Sequence, residues 1–238
     1  MRRRDEIAPE LRRQVGAGSD LIKLWDDNCS DRTLVCAPAF TRDEIALAAA
    51  ETHRLGRRLA VHAYHAAGAR DAVLAGADSL EHAVDLDPDT LEEMARRGTV
   101  YVPTIDHNRY YAEQAGWFGY TPAEVQALDA YRARNLETTR SAHRAGVDIA
   151  MGSDAVFTMF GQNTRELMWL VEAGMTPLEA LKAATFTAAR SVGREQEYGS
   201  VAPGFHADLI AVEGDPRTDI EVVVGRVRGV LVEGLLAP

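Results

Sequence analysis

The sequence alternates short apolar runs with amphipathic segments that begin at helix-capping residues and end at glycine. In the segment from 41 to 56, for example, Thr41 and Glu44 have capping-box spacing and Gly56 follows the last turn. Strands that alternate with helices favour a parallel sheet covered by helices, so the pattern predicts an α/β fold. The five apolar runs are "DLIKLW", "RLAVH", "ADSLEH", "TVYVPT" and "DIAMGSD", and the other capped segments are 87–98, 121–146 and 176–193.

The pattern changes after about residue 196. Two strand-like runs, "HADLIAVEGDP" and "IEVVVGRVRGVLVEG", follow each other with no helix predicted between them. We therefore predict two units, a barrel-like part over 1–195 and a small β-rich segment over 196–238. Residues 105–120 are rich in aromatic residues and are predicted to be one long irregular stretch, which could serve as a lid or a substrate loop.

The composition narrows the class of protein. The 238 residues include 26 Lys and Arg against 36 Asp and Glu, and a net charge of −10 disfavours nucleic acid and anionic membranes as partners. No run approaches the ~20 apolar residues that span a bilayer, and the basic start has no apolar segment behind it, so we expect no membrane span and no secretory signal. The two cysteines, Cys29 and Cys36, give no sign of a disulfide framework, and a cytoplasmic location is expected.

Four of the five runs carry a candidate metal ligand at or near their ends: Lys23, His62, His82 and Asp154. In parallel barrels the carboxyl ends of the strands build the active site, and imidazole with carboxylate is a ligand set preferred by zinc and similar ions. Each residue alone has a simpler explanation, since one buried histidine is usually a core residue and a lysine can extend to the strand end. Lys23 lies in an apolar run that predicts a buried strand, where an unpaired ammonium is costly.

Seven segments, taken in chain order, resemble the amidohydrolase superfamily, in particular its imidazolonepropionase-like and Xaa-Pro or Xaa-Arg dipeptidase-like branch. The resemblance extends from about residue 10 to residue 235. It implies a distorted (β/α)8 TIM barrel with a small β-sandwich. The segments are "DLIKLW", "VHAY", "SLEHA", "YVPT", "MGSDA", "GMTPLEALKAATFTAAR" and "GSVAPGFHADLIAVEGDP".

The resemblance also implies the roles of the site residues. Lys23 would be a carboxylated ligand that bridges two metal ions, His62 and His82 would bind the second ion, and Asp154 would bind the first and transfer protons. The ions, most simply one or two Zn²⁺, would supply a hydroxide that hydrolyses a C–N bond. A dipeptide, an N-acyl amino acid or a cyclic amide would be the substrate, with Asp154 and His82 as the catalytic residues.

One motif of that superfamily is missing. Its first barrel strand carries a His-x-His pair, and no two histidines of this sequence are separated by one residue. The five runs match strands four to eight of a barrel that needs eight. We therefore expect a C-terminal portion of a longer enzyme, whose exposed strand edges would favour association into a homo-oligomer. Two alternatives stay open: an inactive fragment, and a lactone or phosphotriester hydrolase that uses the same metal site.

Four further residues are candidates for substrate binding. Tyr64 and His65 follow His62 directly, and the resemblance implies that a tyrosine there recognises a carboxylate; the alternative is that Tyr64 covers the barrel rim. His107 and Arg109 lie in the aromatic stretch and could contact an anionic end of the substrate, although a solvated surface position is the simpler interpretation.

Overall fold

The protein's computed structural model describes residues 4–29, 32 and 34–237. Two 3₁₀ turns, Phe157–Met159 and Asn163–Arg165, lie just before the helix Glu166–Glu172. The helices in this part of the chain, numbered α1 to α11, are Arg4–Gly16, Arg42–Arg54, Ala66–Ala75, Pro88–Arg97, Ile105–Glu113, Ala115–Phe118, Pro122–Arg144, Glu166–Glu172, Pro177–Ala184, Phe186–Ser191 and Glu221–Gly225. The strands, numbered β1 to β9, are Leu21–Trp25, Asp27–Cys29, Cys36–Pro38, Arg58–His62, Ser79–Glu81, Val100–Val102, Leu209–Val212, Val227–Val232 and Leu235–Leu236.

A parallel sheet of four strands, in the order β1-β4-β5-β6, organises the molecule. Its register places Trp25 beside His62, His62 beside Glu81, and Glu81 beside Val102. Within the described residues β1 pairs with β4 alone, so its other edge is free. The predicted α/β fold with a parallel sheet is confirmed.

The two faces of this sheet differ because alternate side chains of a strand point to opposite sides. One face packs against the helices and belongs to the main hydrophobic core. Its central members are at most 1% exposed: Ile22, Leu59, Val61, Leu80 and Tyr101. The opposite face carries Lys23, His62 and Glu81, with a second, small apolar cluster around Val100 and Val102. We call this second side the inner face.

The helix starts follow the predicted capping residues. Thr41, Thr121 and Thr176 each form a complete capping box, in which the hydroxyl accepts from the third helical amide and a glutamate accepts from the cap amide. Asp87 caps α4, which begins with Pro88. These contacts join residues three apart, so local sequence was sufficient to find them.

The prediction of an irregular stretch over 105–120 is wrong, since α5 and α6 occupy most of it. Thr104, just before α5, has a left-handed backbone and provides no side-chain cap. Instead, the buried carboxylate of Glu166 accepts hydrogen bonds from the amides of Ile105 and Asp106, both at 2.8 Å. A cap supplied from sixty residues away leaves no local sequence signal.

Two strand predictions also need correction. The run that ends at Asp154 forms a single bridge between Ile149 and Tyr101, because the amide of Met151 donates to the carbonyl of Ala183 instead of continuing the sheet. Part of the second C-terminal run forms α11, a helix between β7 and β8.

The tail contains the expected β-rich segment, an antiparallel sheet of β7, β8 and β9. Ile220, Val222 and Val223, which lie at or beside α11, belong to the main core. Burial of these residues against the helices explains why the segment folds as a helix. The domain boundary near residue 196 stays a prediction.

Strands β2 and β3 form a hairpin in which Cys29 and Cys36 lie opposite each other and are joined by a disulfide. The expectation of no disulfide is therefore wrong. Because disulfides are typical of oxidising compartments, the cysteine content no longer supports a cytoplasmic location, which stays a prediction. No helix in the described residues is long and apolar enough to cross a membrane.

Candidate metal centre

His62 and His82 converge at the carboxyl edge of the parallel sheet. His62 ends β4, and His82 follows the last residue of β5. Both side chains are about 2% exposed, and their ring centroids lie 4.4 Å apart. Two imidazoles this close, both buried, form the centre of the candidate site.

His82 is held in a strained backbone conformation by its surroundings. Its φ of 73° lies in the left-handed region, where a residue other than glycine is uncommon. The hydroxyl of Tyr131, on α7, donates to the carbonyl of His82 at 3.0 Å. Strain supported in this way is a feature of functional sites.

The ring of His82 is oriented by Thr104, whose Oγ1 shares a hydrogen bond with Nδ1 at 2.6 Å. Burial lowers the pKa of His82 well below its ordinary value, and its electrostatic interactions with His62, Lys23 and His107 lower it further. When Nδ1 of a neutral imidazole is engaged by the protein, the lone pair of Nε2 can coordinate a metal ion.

His62 has the complementary arrangement. The Trp25 ring stacks on it with centroids 3.7 Å apart, and Nε2 lies 3.1 Å from Oδ2 of Asp27. Neither ring nitrogen makes a well-aligned hydrogen bond with any described residue. A buried imidazole nitrogen without a partner is costly, so the unpaired Nδ1 fits a missing ligand.

Asp27 is a site residue that the sequence analysis missed. Its buried carboxylate accepts a hydrogen bond from the amide of Tyr64 at 2.6 Å through Oδ2. Oδ1 lies 3.2 Å from Nε2 of His65, so the carboxylate sits between His62 and His65. The position of Asp27 two residues after the end of the lysine strand was the available signal.

Lys23 lies on the inner face as expected, but it is exposed, and the prediction of a buried lysine is wrong. The reason is its place on β1, whose second edge has no partner in the described residues. Lys23 still lies close enough to influence Glu81 and His82 electrostatically. Burial raises the pKa of Glu81, and the hydrogen bond from Ser79 opposes that shift.

Asp154 reaches the same edge from the turn after the Ile149 bridge. Its φ of 45° is again in the left-handed region, and its carboxylate is partly exposed. His107, on α5, places Nδ1 2.8 Å from the carbonyl oxygen of Asp154 and 3.3 Å from Oδ2. His107 therefore joins the site through Asp154.

The other substrate candidates lie in different settings. The ring of Tyr64 contacts the rings of His62 at 4.8 Å and His82 at 5.1 Å, so it covers the two histidines. His65 caps α3: Nδ1 accepts from the amide of Gly68 at 2.8 Å, and Nε2 faces the Asp26 carbonyl and Asp27. A substrate role for His65 stays a prediction, and its observed contacts are with the protein.

Arg109 is buried and engaged by two acids on its own helix. Nε and Nη2 donate to the carboxylate of Asp106 at 2.6 and 3.0 Å, and Nη1 contacts Glu113. The hydrogen bond to Asp106 raises the pKa of Arg109 above its ordinary value. Its predicted contact with substrate would require exchange of these partners.

Among the described residues, the only three or more His, Cys, Asp or Glu side chains whose donor atoms lie within 4.8 Å of one another are Asp27, Cys29 and Cys36. The two sulfurs are consumed by the disulfide. The histidine pair is therefore the better candidate centre.

Known proteins match this chain over nearly its full length. A sequence model described as the amidohydrolase family matches residues 2–236. An ochratoxinase from Aspergillus niger is 33% identical over 228 residues, which cover 92% of this chain and 46% of that protein.

Solved structures agree with this match. A Xaa-Pro dipeptidase with bound methionine has a TM-score of 0.88 and 33% identity, and the match covers 100% of this chain and 59% of that one. The structure of A. niger ochratoxinase has a TM-score of 0.85 and 31% identity, with 99% and 55% covered. The chain thus spans about half the length of the relatives it matches.

Proposed function

The chain belongs to the amidohydrolase family, and on that premise we propose that it contributes to a metal-dependent hydrolase that cleaves a C–N bond of an amide or peptide type. The ligands of the metal ion would be His62, His82, Asp154 and Lys23. The observation that carries the proposal is the complementary orientation of the two buried histidines. Protein groups face one nitrogen of each ring, Nε2 of His62 and Nδ1 of His82, and leave the other nitrogen available.

The donor set suits a zinc-like ion. Imidazole nitrogens and carboxylate oxygens are its usual ligands, and protein groups that engage the second nitrogen of a ligand histidine fix the ring. Thr104 has that relation to His82, and the carboxylate of Asp27 lies 3.1 Å from Nε2 of His62. When bound, a divalent ion would polarise the substrate carbonyl and make water more acidic.

The chain's own groups would handle the proton. Asp154 is partly exposed at the open edge, so its carboxylate can accept a proton from water and return it to the leaving nitrogen. His107 contacts both the carbonyl and the carboxylate of Asp154 and would hold it in place. Tyr64 and Trp25 cover His62 and would limit access of bulk water from their sides.

The relatives support an amide-type substrate, since a Xaa-Pro dipeptidase is among them. We propose a dipeptide or an N-acyl amino acid as the substrate class. A lactone or phosphotriester could use the same ligands, and a comparison of amide, lactone and phosphotriester substrates separates these activities.

We also propose that the parallel sheet is part of an eight-stranded barrel, and that β7, β8 and β9 belong to a separate small β-sandwich. The free edge of β1 is where further strands would pair, and Lys23 on that strand would then become enclosed. Enclosure would make a charged ammonium costly there and so favour the carboxylated form that the family resemblance implies. Activity of this chain by itself stays open.

The metal content of the purified chain tests the site. Zinc or a similar ion should be detected by mass spectrometry, and His82→Asn should lose it because one of the two convergent imidazoles is removed. His143→Asn is the matched control, since His143 lies on α7 near Glu179 and away from the site. Equal metal content in both variants would refute the ligand assignment.

A further inference from the structure

A cluster of aromatic rings lies beside the candidate metal centre. It is built by α5, α6, the residues just after α6 and the 3₁₀ turn that follows Asp154. Each ring contacts at least one other ring with centroids 4.8 to 6.3 Å apart. The members are Tyr110, Tyr111, Trp117, Phe118, Tyr120 and Phe157, which we call the aromatic wall.

Two members of the aromatic wall face solvent. Trp117 and Phe157 are 60% and 53% exposed, and their rings meet edge to face at 5.3 Å. Phe118 lies against both, at 5.0 Å from Trp117 and 5.6 Å from Phe157. Contiguous exposed apolar patches often mark binding sites.

The aromatic wall is continuous with the candidate site. His107, which contacts Asp154, lies 4.9 Å from the ring of Tyr111, and Tyr111 lies 4.8 Å from Phe118. Phe157 follows Asp154 by three residues. A group bound on the wall would therefore lie next to Asp154.

A hydrogen bond ties the two parts of the aromatic wall together, and one member of the wall has a strained backbone. The hydroxyls of Tyr110 and Thr158 lie 2.8 Å apart, which ties α5 to the turn. Phe157 has a φ of 48°, an outlier for a bulky residue. Strained conformations of this kind cluster at functional sites.

From these contacts we propose that the aromatic wall is a specificity subsite for an aromatic or bulky apolar side chain of the substrate. This inference rests on the proposed function, because it assumes that the scissile bond lies at Asp154. Trp117 and Phe157 would stack on the side chain, while Phe118 packs against both of these rings and Tyr111 packs against Phe118. The wall would thus select among amide substrates without taking part in bond cleavage.

The test compares two ligands that differ only in the side chain, N-acetyl-L-phenylalanine and N-acetyl-L-alanine. Calorimetry or equilibrium dialysis with the full chain should give a roughly tenfold tighter Kd for the phenylalanine derivative. Trp117→Ala and Phe157→Ala should each bring the ratio of the two Kd values towards one. Phe160→Ala is the matched control, since Phe160 is 70% exposed and lies near the turn, and it should keep the wild-type ratio.

The ratio of the two Kd values distinguishes failure of the subsite from failure of the proposed metal-dependent function. Loss of the metal site would weaken both ligands together, and the metal content of the same samples reports that loss. Equal affinity for the two ligands, no measurable binding of either, or an equal effect of Phe160→Ala would overturn the subsite. So would a change of oligomeric state caused by Trp117→Ala without a change of ratio, because the wall would then be a contact between chains.

Discussion

The two faces of the parallel sheet use the same strands for opposite purposes. On the helix-facing side, Leu59, Val61 and Leu80 are fully buried and belong to the main hydrophobic core. On the inner face, His62 and Glu81 project from the same two strands, and Lys23 projects from the neighbouring β1. The comparison shows that stability and chemistry are separated by a single residue step along each strand.

The largest expected effect tests the helix-facing side. Leu80→Ala should lower the free energy of unfolding by about 2 to 5 kcal/mol, because it removes buried apolar surface and leaves a cavity. Chemical denaturation measures the change. Leu178→Ala makes the same substitution at a 57% exposed position, and a similar loss there would contradict a core role for Leu80.

The stability of the protein should also depend on pH, because Glu166 is a buried carboxyl that lies outside the inner face. Burial raises the pKa of Glu166 from 4.5 to about 8, against the two amide hydrogen bonds. The folded state therefore retains a proton that the unfolded chain loses, so this group's stabilising contribution is complete below about pH 4.5 and is lost as the pH rises to about 8.

The free energy of unfolding should therefore fall with rising pH, and Glu166→Gln should remove the part of this slope that is due to Glu166. That part is at most about 1.4 kcal/mol per pH unit. Denaturation measured between pH 5 and pH 8 reports it, with the exposed Glu172→Gln on the same helix as control. A wild-type slope in the Glu166→Gln protein would show that the carboxyl is ionised throughout.

Orientation of the inner-face histidines gives a smaller effect. Thr104→Val removes the hydroxyl that engages Nδ1 of His82, and metal affinity should fall roughly 10- to 100-fold. Competition with a chelator measures the affinity. Thr99→Val is matched, since Thr99 is also buried and its hydroxyl donates to the carbonyl of Ala77. Equal affinities in the two variants would argue against orientation by Thr104.

The smallest expected stability change is at Lys23. Because this side chain is exposed on an edge strand, Lys23→Ala should alter the free energy of unfolding by no more than about 0.5 kcal/mol. Its metal content should nevertheless fall. Full metal occupancy in the folded variant would remove Lys23 from the ligand set.

Local patterns accounted for the elements that use local contacts. The capping boxes at Thr41, Thr121 and Thr176 join neighbours in sequence, and the strands around Lys23 and His62 follow simple apolar runs. Two of the predictions that were wrong, those for the segments of α5 and α11, depended on distant partners. Glu166 caps α5 across sixty residues, and core burial turns residues 221–225 into a helix.

The site divides in the same way. His62, His82 and Asp154 were predicted from their positions at run ends, and the structure brings the two histidines together, with Asp154 reaching the same edge of the sheet. Asp27, at the start of β2, and Thr104, just before α5, were not predicted, because short acidic and hydroxyl side chains have many ordinary uses at the ends of elements. Their importance depends on the 3.1 and 2.6 Å distances to the histidine rings.

By itself, the sequence determined the alternation of strands and helices, the polar ends of the strands, and the similarity to one enzyme superfamily, because these depend on residue type and spacing. Only the tertiary structure decided which nitrogen of each histidine is engaged, that Lys23 is exposed, and that six aromatic rings form a wall beside Asp154. Those features arise where residues far apart in sequence meet, and burial and hydrogen bonding there depend on the whole packed chain.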